Sequence, residues 1–254
     1  MNLKIIYEPS GKAKEYAELA VNLYKGRCGH QCDYCYAPRA LHTTPDKMSE
    51  PVPKEHALEL LTKDAAELRR CNDQRHILMS FTTDPYQPIE DKLHITRTAI
   101  EILLSQGLGI SILTKGGHRS ERDFDLLTDN NIFAGCPKPR YGATLVFIDD
   151  FDARKHEPFA ASTSERIDAL KKAHDMGIYT WVSLEPVWYP TDAYQLIQET
   201  YKFVDEFKVG KLNYMEHAKN VNWKEFAIKV EEKLKACGAN YYLKSSLREL
   251  MGRK

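Results

Sequence analysis

Along this chain, short apolar runs alternate with stretches in which apolar residues recur every three or four positions. The runs are "AVNLY" (20–24), "HILMSFTT" (76–83), "GISILTK" (109–115), "YGATLVF" (141–147) and "IYTWVSLEPV" (178–187), and a further one lies within "KFVDEFKVGKLNY" (202–214). Their nearly continuous apolar character predicts parallel strands buried on both faces. Between them, "PKEHALELLTKDAAELRR" (53–70), "KLHITRTAIEILLSQG" (92–107) and "STSERIDALKKAHDMG" (162–177) predict amphipathic helices, the last with Ser162 to Ser164 as N-caps and Gly177 as its stop. Repeated β–α units imply a parallel sheet, and about six of them make an open, TIM-like (β/α)6 barrel of the α/β class. A last helix, "NWKEFAIKVEEKLKACG" (222–238), is expected to close one side within a C-terminal helical closure of 215–254. Nothing reads as a Pro/Gly/Ser linker, a repeat or a low-complexity segment, so one domain over 1–254 is expected.

Composition excludes more than it selects. The 254 residues carry 36 basic and 36 acidic side chains, so there is none of the basic excess of a dedicated nucleic-acid coat. No apolar run is long enough for a signal peptide or a bilayer span, which points to the cytoplasm and no membrane partner. There the six cysteines should stay reduced, and clustered ones are ligands or catalysts rather than staples. Cys71, Cys136 and Cys237 stand alone and read as small incidental residues.

The other three cysteines, Cys28, Cys32 and Cys35, share the loop 26–38 in "RCGHQCDYCYA". Structural zinc wants four ligands, commonly as two pairs; His30 or His42 could supply a fourth, but no second pair follows. Cubane iron–sulfur clusters also usually take four thiolates, so three would leave one iron open to a small molecule. The spacing C-x3-C-x2-C, with aromatic Tyr34 before the last cysteine, resembles the signature of the radical S-adenosylmethionine (SAM) superfamily. The resemblance implies a [4Fe-4S] cluster on Cys28, Cys32 and Cys35, with SAM chelating the fourth iron. It also implies reductive cleavage of SAM to a radical that abstracts hydrogen, and the partial (β/α)6 barrel of that superfamily. An external electron donor of the flavodoxin or ferredoxin type is expected.

Ligands of parallel α/β folds sit at the carboxyl ends of strands. In "FTTDPYQPIE" (81–90), Thr82, Thr83 and Asp84 open a proline-stiffened loop. They are candidates for the SAM ammonium, with Asp84 as its charge partner, or else Asp84 caps its own turn. Lys115, ahead of Gly116 and Gly117, suits the SAM carboxylate. Arg122 and Asp123 read as structural. Thr144, Ser183 and Glu185 end the next two strands, with Glu185 placed for the ribose hydroxyls or as a substrate acid or base. Lys211, Asn213 and Tyr214 are candidates for the substrate side.

"NLYKGRCGHQCDYCYAPRA", "FTTDPYQPIE", "ITRTAIEILLSQG", "ILTKGGHRSERDFDLL", "HEPFAASTSERIDALKKAHDMGI" and "SLEPV" together resemble the DNA-repair-photolyase-like (spore photoproduct lyase-like) family over about residues 20–190. By that resemblance, Tyr34, Tyr36, Thr83 and Lys115 match SAM contacts. The chain departs from the lyase at Phe81, which stands where the lyase carries the cysteine that returns a hydrogen to the thymine radical. The expected activity is therefore hydrogen abstraction from an unidentified substrate, with a nucleic acid or nucleotide as candidate. The alternatives are thymine-lesion lyase activity or a cluster-carrying binding or regulatory protein without turnover.

Overall fold

A computed structural model describes residues 3–128 and 135–253. Its strands are β1 (Ile6–Tyr7), β2 (Leu19–Val21), β3 (Tyr24–Lys25), β4 (Val52–Pro53), β5 (His76–Met79), β6 (Gly109–Thr114), β7 (Arg140–Thr144), β8 (Tyr179–Val187), β9 (Glu206–Lys211) and β10 (Asn240–Leu243). Eight of them form one sheet in the order β1-β2-β5-β6-β7-β8-β9-β10, while β3 and β4 pair separately. Every neighbour pair in the large sheet is parallel except β1 with β2. The two end strands do not pair with each other, so the barrel stays open.

The six expected parallel strands are all present, from β2 through β9. Four strands, β1, β3, β4 and β10, escaped the sequence pattern. Strand β1 is two residues long, too short for any alternation to register. "AVNLY" proves to be two elements, because β3 leaves the sheet to pair with β4. The expected helical closure at 215–254 also contains strand β10, which adds a seventh parallel strand beside β9. The helix before it spans Trp223–Ala236, capped by Asn222, and packs on β10 and on the helix Pro190–Thr200. "SFTT" is not strand either: β5 ends at Met79 and the chain turns at once.

The strands are not equally apolar on their two faces. Leu19, Val21, Ile77, Met79, Ile110, Ile112, Tyr141, Ala143, Val182, Leu184, Phe207 and Val209 alternate along them and join the main core under the helices. The inner face keeps only a small apolar cluster around Ala20, Leu78 and Trp181, and otherwise carries Ser111, Ser183, Lys208 and two glycines. Those glycines make room for their neighbours. A Cβ on Gly142 would lie 2.3 Å from the Trp181 ring, and one on Gly210 would lie 2.5 Å from the Glu185 carboxyl carbon. Period-2 alternation thus separates an oily outer layer from a polar, partly hollow interior.

Helix ends follow the expected chemistry where it was legible. The helix Thr163–Asp175 starts with a capping box: the Glu165 amide donates to Ser162 Oγ (3.2 Å) and the Ser162 amide to Glu165 Oε2 (2.8 Å). Gly177, at φ +78°, follows its end. Arg122 pairs with the fully buried Glu90 (2.5 Å) and Asp123 with Arg97 (3.3 Å).

Candidate functional site

The loop 26–38 leaves β3 and is pinned on three sides. At its base, the Arg27 amide donates to the Ser49 carbonyl (2.9 Å), and Gly26 at φ +90° passes so close to Glu50 that a Cβ would meet its carbonyl oxygen at 2.4 Å. In its middle, the Gly29 amide donates to Gln87 Oε1 (2.8 Å). On its outer side, the Asp33 amide donates to the His156 carbonyl (3.0 Å), and the Phe159 amide to the His30 carbonyl (3.4 Å). Cys28, Cys32 and Cys35 are all free thiols and line one cavity of about 570 Å³.

Among the described residues, no three His, Cys, Asp or Glu side chains converge on a single metal ion. His30 is no spare ligand either. It is buried, with Nδ1 at 3.2 Å from the Phe159 carbonyl and Nε2 at 3.4 Å from Asp84 Oδ2. Three spread thiols suit a cluster whose irons each take one thiolate. Burial pushes Cys28 well above the usual thiol range, helped by the Asp84 charge, and pushes Cys32 up to about 12 against the pull of Lys115. Unligated, these positions disfavour thiolate; bound iron supplies the positive charge that reverses this.

Next to the thiols stand the ends of β5 and β6. Asp84 is engaged on both oxygens. Oδ1 accepts from Thr114 Oγ1 (2.6 Å) and the Tyr86 amide (2.8 Å), while Oδ2 accepts from the Lys115 amide (2.8 Å) and faces His30. Burial opposes this charge, but His30 and the donors outweigh it and hold the carboxyl well below the usual carboxylate range. Thr82 and Thr83 follow a turn that Asn22 fixes, its Oδ1 accepting both the Phe81 and Thr82 amides at 2.9 Å. Tyr36 donates its hydroxyl to the Phe81 carbonyl (2.7 Å). The Lys115 ammonium lies 5.5 Å from the centre of the Tyr34 ring, and among the described residues no carboxylate pairs with it. The Tyr34 hydroxyl is held by Glu157, which Arg166 grips from the other side.

The opposite wall belongs to β8 and β9. Tyr16 shares a hydrogen bond with Ser183 Oγ (2.7 Å) and donates to Glu185 Oε2 (2.7 Å). Lys244 donates to both Glu185 oxygens (2.9 and 3.2 Å). Its ammonium also lies 4.7 Å from the Tyr16 ring centre. Burial, with Glu185 beside it, pushes the Tyr16 phenol well above its usual range. Thr144 lies on the wall between, its carbonyl accepting from Arg166 (3.0 Å). At the rim, Lys12 reaches Asn213 (3.5 Å), and the Arg39 guanidinium stacks 4.6 Å over the ring of Tyr214, which is 64% exposed.

The structure therefore brings Cys28, Cys32, Cys35, Tyr34, Tyr36, Thr82, Thr83, Asp84, Lys115, Thr144, Ser183, Glu185, Lys211, Asn213 and Tyr214 to one cavity. Sequence reasoning missed Asn22, Tyr16, His30 as the partner of Asp84, and Lys244. Only Asn22 had a signal, as a polar residue interrupting "AVNLY". Tyr16 and Lys244 lie 228 residues apart and meet only through the fold. Cys71, Cys136 and Cys237 do not line the cavity. Cys71 caps the helix Ala57–Arg70, Cys237 caps Trp223–Ala236, and Cys136 abuts Gly107 before β6.

The radical SAM superfamily model matches residues 23–204, and the chain belongs to that superfamily. It is 28% identical to an uncharacterised protein of Methanocaldococcus jannaschii over 201 residues, covering 78% of this chain and 71% of that one. It is 29% identical to the radical SAM Nalpha-GlyT isomerase of Pseudomonas phage M6 over 167 residues, 65% of this chain and only 32% of the isomerase. Among solved structures, spore photoproduct lyase complexed with dinucleoside spore photoproduct has TM-score 0.66 at 16% identity, covering 95% of this chain and 80% of the lyase. Streptococcus suis SuiB bound to precursor peptide SuiA has TM-score 0.64 at 12% identity, covering 92% of this chain and 50% of SuiB. At such identities these two show the fold alone.

Proposed function

We propose that this radical SAM enzyme holds a [4Fe-4S] cluster on Cys28, Cys32 and Cys35, binds SAM at the remaining iron, and abstracts hydrogen from a nucleotide or nucleic acid. Held there, the cluster would supply the electron for reductive cleavage of SAM, the source of the radical that would take hydrogen from an unreactive carbon. The chain supplies binding, orientation and exclusion of water. The observation that carries this reading is the meeting of three free thiols and the carboxylate-free Lys115 ammonium in one cavity.

Lys115 is our candidate for the SAM carboxylate, and the loop carrying Thr82 and Thr83 for its ammonium. Asp84 already accepts three hydrogen bonds and faces His30, so its role in our reading is to set Lys115 and His30 in place. Ser183 and Glu185, oriented by Tyr16 and Lys244, face the ribose, with Thr144 between. The Lys115 ammonium, which pairs with no carboxylate among the described residues, also makes turnover a better reading than a binding protein that carries a cluster passively. Tyr214 and Tyr36, with Lys12, Lys211 and Arg39 nearby, offer stacking faces and cations at the rim, which suit a base and its phosphate. We read the chain as one radical SAM domain, with reduced thiols suited to the cytoplasm.

Thymine-lesion repair is not our reading. Phe81 lines the cavity and can return no hydrogen, and none of the isolated cysteines reaches it. We expect uncoupled SAM cleavage but no efficient conversion of a spore-photoproduct oligonucleotide; multiple turnovers to two thymines would overturn that. The broader test is anaerobic reconstitution with iron and sulfide, then SAM and dithionite, with 5′-deoxyadenosine as the readout. A chain purified anaerobically with one zinc per molecule would refute the reading. Faster 5′-deoxyadenosine formation with an oligonucleotide present is expected, and indifference to every nucleic acid tried would remove the substrate class.

A further inference from the structure

A second cavity, of about 260 Å³, lies at the amino ends of the strands, away from the thiols. His76, Arg140 and Glu206, which begin β5, β7 and β9, line it together with Ser111, Trp181, Lys208 and the segment 14–18. Among the described residues, Tyr16 alone lines both cavities. Strand register accounts for the polar lining. Ser111 on β6 pairs with Arg140 on β7, and Trp181 on β8 pairs with Glu206 on β9, two residues before Lys208. Residues paired in register, or two apart on one strand, share a face, so all of these belong to the inner face.

The donors here lack acceptors. The Lys208 ammonium lies 5.1 Å from the centre of the Trp181 ring and 5.7 Å from that of Tyr16, and donates one hydrogen bond, to the Tyr16 carbonyl (3.0 Å). Among the described residues no carboxylate pairs with it. Burial pushes it below the usual lysine range, and the pull of Glu206 does not restore it. The buried Ser111 hydroxyl and the Arg140 guanidinium make no hydrogen bond among the described residues; Arg140 faces Glu206 at 3.8 Å. Trp181 Nε1 is buried without a partner as well. The acceptors are fewer. Glu15 already takes the Tyr242 hydroxyl (3.1 Å) and the Ser245 amide (2.6 Å), and Glu18 is exposed, which leaves Glu206 as the available inner carboxylate.

We propose that this cavity binds a phosphate group that carries a proton, either inorganic phosphate or the singly ionised head of a small phosphomonoester. Its anionic oxygens accept from Lys208, Arg140 and Ser111, and its O–H donates to Glu206. Lys208 has three N–H donors, so it keeps its bond to the Tyr16 carbonyl. The lone carboxylate decides the class of ligand. Sulfate has only acceptors at neutral pH and meets Glu206 as a like charge, whereas a protonated phosphate offers it a hydrogen bond. The site is independent of the cluster reading, because neither the thiols nor Lys115 line it.

Calorimetry on the full chain at fixed ionic strength tests it, with inorganic phosphate, glycerol 3-phosphate and sulfate as probes. At least one of the two phosphates should bind, the tighter one identifying the source, and sulfate should bind about tenfold more weakly or worse. Lys208→Met and Arg140→Gln should each weaken phosphate binding by about tenfold or more. The Arg140 side chain is 37% exposed, so Arg140→Gln remains informative even if Lys208→Met folds poorly. Glu206→Gln should remove most of the preference for phosphate over sulfate, because an amide can donate to either ion. Lys115→Ala, and saturation of the reconstituted chain with SAM, should leave phosphate affinity unchanged. A parent chain that binds neither phosphate at millimolar concentration overturns the proposal, as does equal affinity for phosphate and sulfate, or unchanged affinity in Arg140→Gln. Loss of phosphate binding on adding SAM also overturns it, since that would put the ion in the thiol cavity.

Discussion

The two walls of the cavity are built differently. The thiol wall is made from loops, and backbone amides hold its working groups: Asp84 accepts the Tyr86 and Lys115 amides, Asn22 those of Phe81 and Thr82, and Gln87 that of Gly29. The far wall is made from strand residues held by side chains, with Glu185 clamped between Tyr16 and the buried Lys244. Amide-held loops keep their shape while leaving the ends of side chains such as Lys115 free for a ligand. A buried ion pair commits both partners to each other, and it is unforgiving when one is removed. The thiol wall should therefore respond to mutation chiefly in ligand binding, and the far wall chiefly in stability.

The largest effect belongs to the cysteines. Replacing Cys28, Cys32 or Cys35 by Ala should abolish the brown chromophore and 5′-deoxyadenosine formation together while the circular-dichroism spectrum holds; a fully loaded Cys→Ala variant would show that the thiol is not a ligand. On the far wall, Lys244→Met leaves the partly buried Glu185 carboxylate with only the Tyr16 hydroxyl as partner and should lower stability by about 3 kcal/mol. The pair Lys244→Met with Glu185→Gln should recover part of that loss in urea melts. If the single variant melts like the parent, the ion pair is not what holds this wall.

On the thiol wall, Lys115→Ala should leave the melt and the cluster alone and weaken SAM binding by about 1.5–3 kcal/mol, roughly ten- to a hundredfold. Asp84→Ala should lower both thermal stability and SAM affinity, because it frees the Lys115 amide, Thr114 and His30 at once. Equal SAM affinity in parent and Lys115→Ala would place the SAM carboxylate elsewhere.

The smallest effect lies outside both walls, where Glu231 accepts from Arg253 (2.5 Å) and Tyr241 (3.0 Å). The hydrogen bond from Arg253 outweighs desolvation and, with Lys235 and Tyr241, holds the carboxyl down to about 2. A depressed folded pKa stabilises the protein above the unfolded value near 4.5 and loses that contribution as pH falls towards 2. Parent and Glu231→Gln should therefore differ in melting temperature at pH 6 and converge towards pH 2. A constant difference across that range would show that the pair does not contribute through its charge.

The thiol wall was legible because its chemistry is local. Cys28, Cys32 and Cys35 carry their spacing within eight residues, and Thr82 to Asp84 and Lys115 sit where apolar runs stop. The (β/α)6 core was legible for the same reason, since strand and helix periods are read in windows shorter than the elements themselves. The short strands β1, β3 and β4 were not, because two residues hold no period, and β10 hid in a tail read as helical.

The sequence by itself determined the strand-and-helix rhythm, the cluster loop and the polar strand ends. Each is a property of neighbours in the chain, so composition and spacing suffice. Only the tertiary structure decided that Asp84 spends its charge on Lys115, His30 and Thr114, and that Tyr16 and Lys244 meet at Glu185. Those are contacts between residues 30 to more than 200 positions apart. No local pattern encodes them. They exist because an open parallel sheet brings the ends of distant strands to one rim, where a buried charge stays only if it finds a partner.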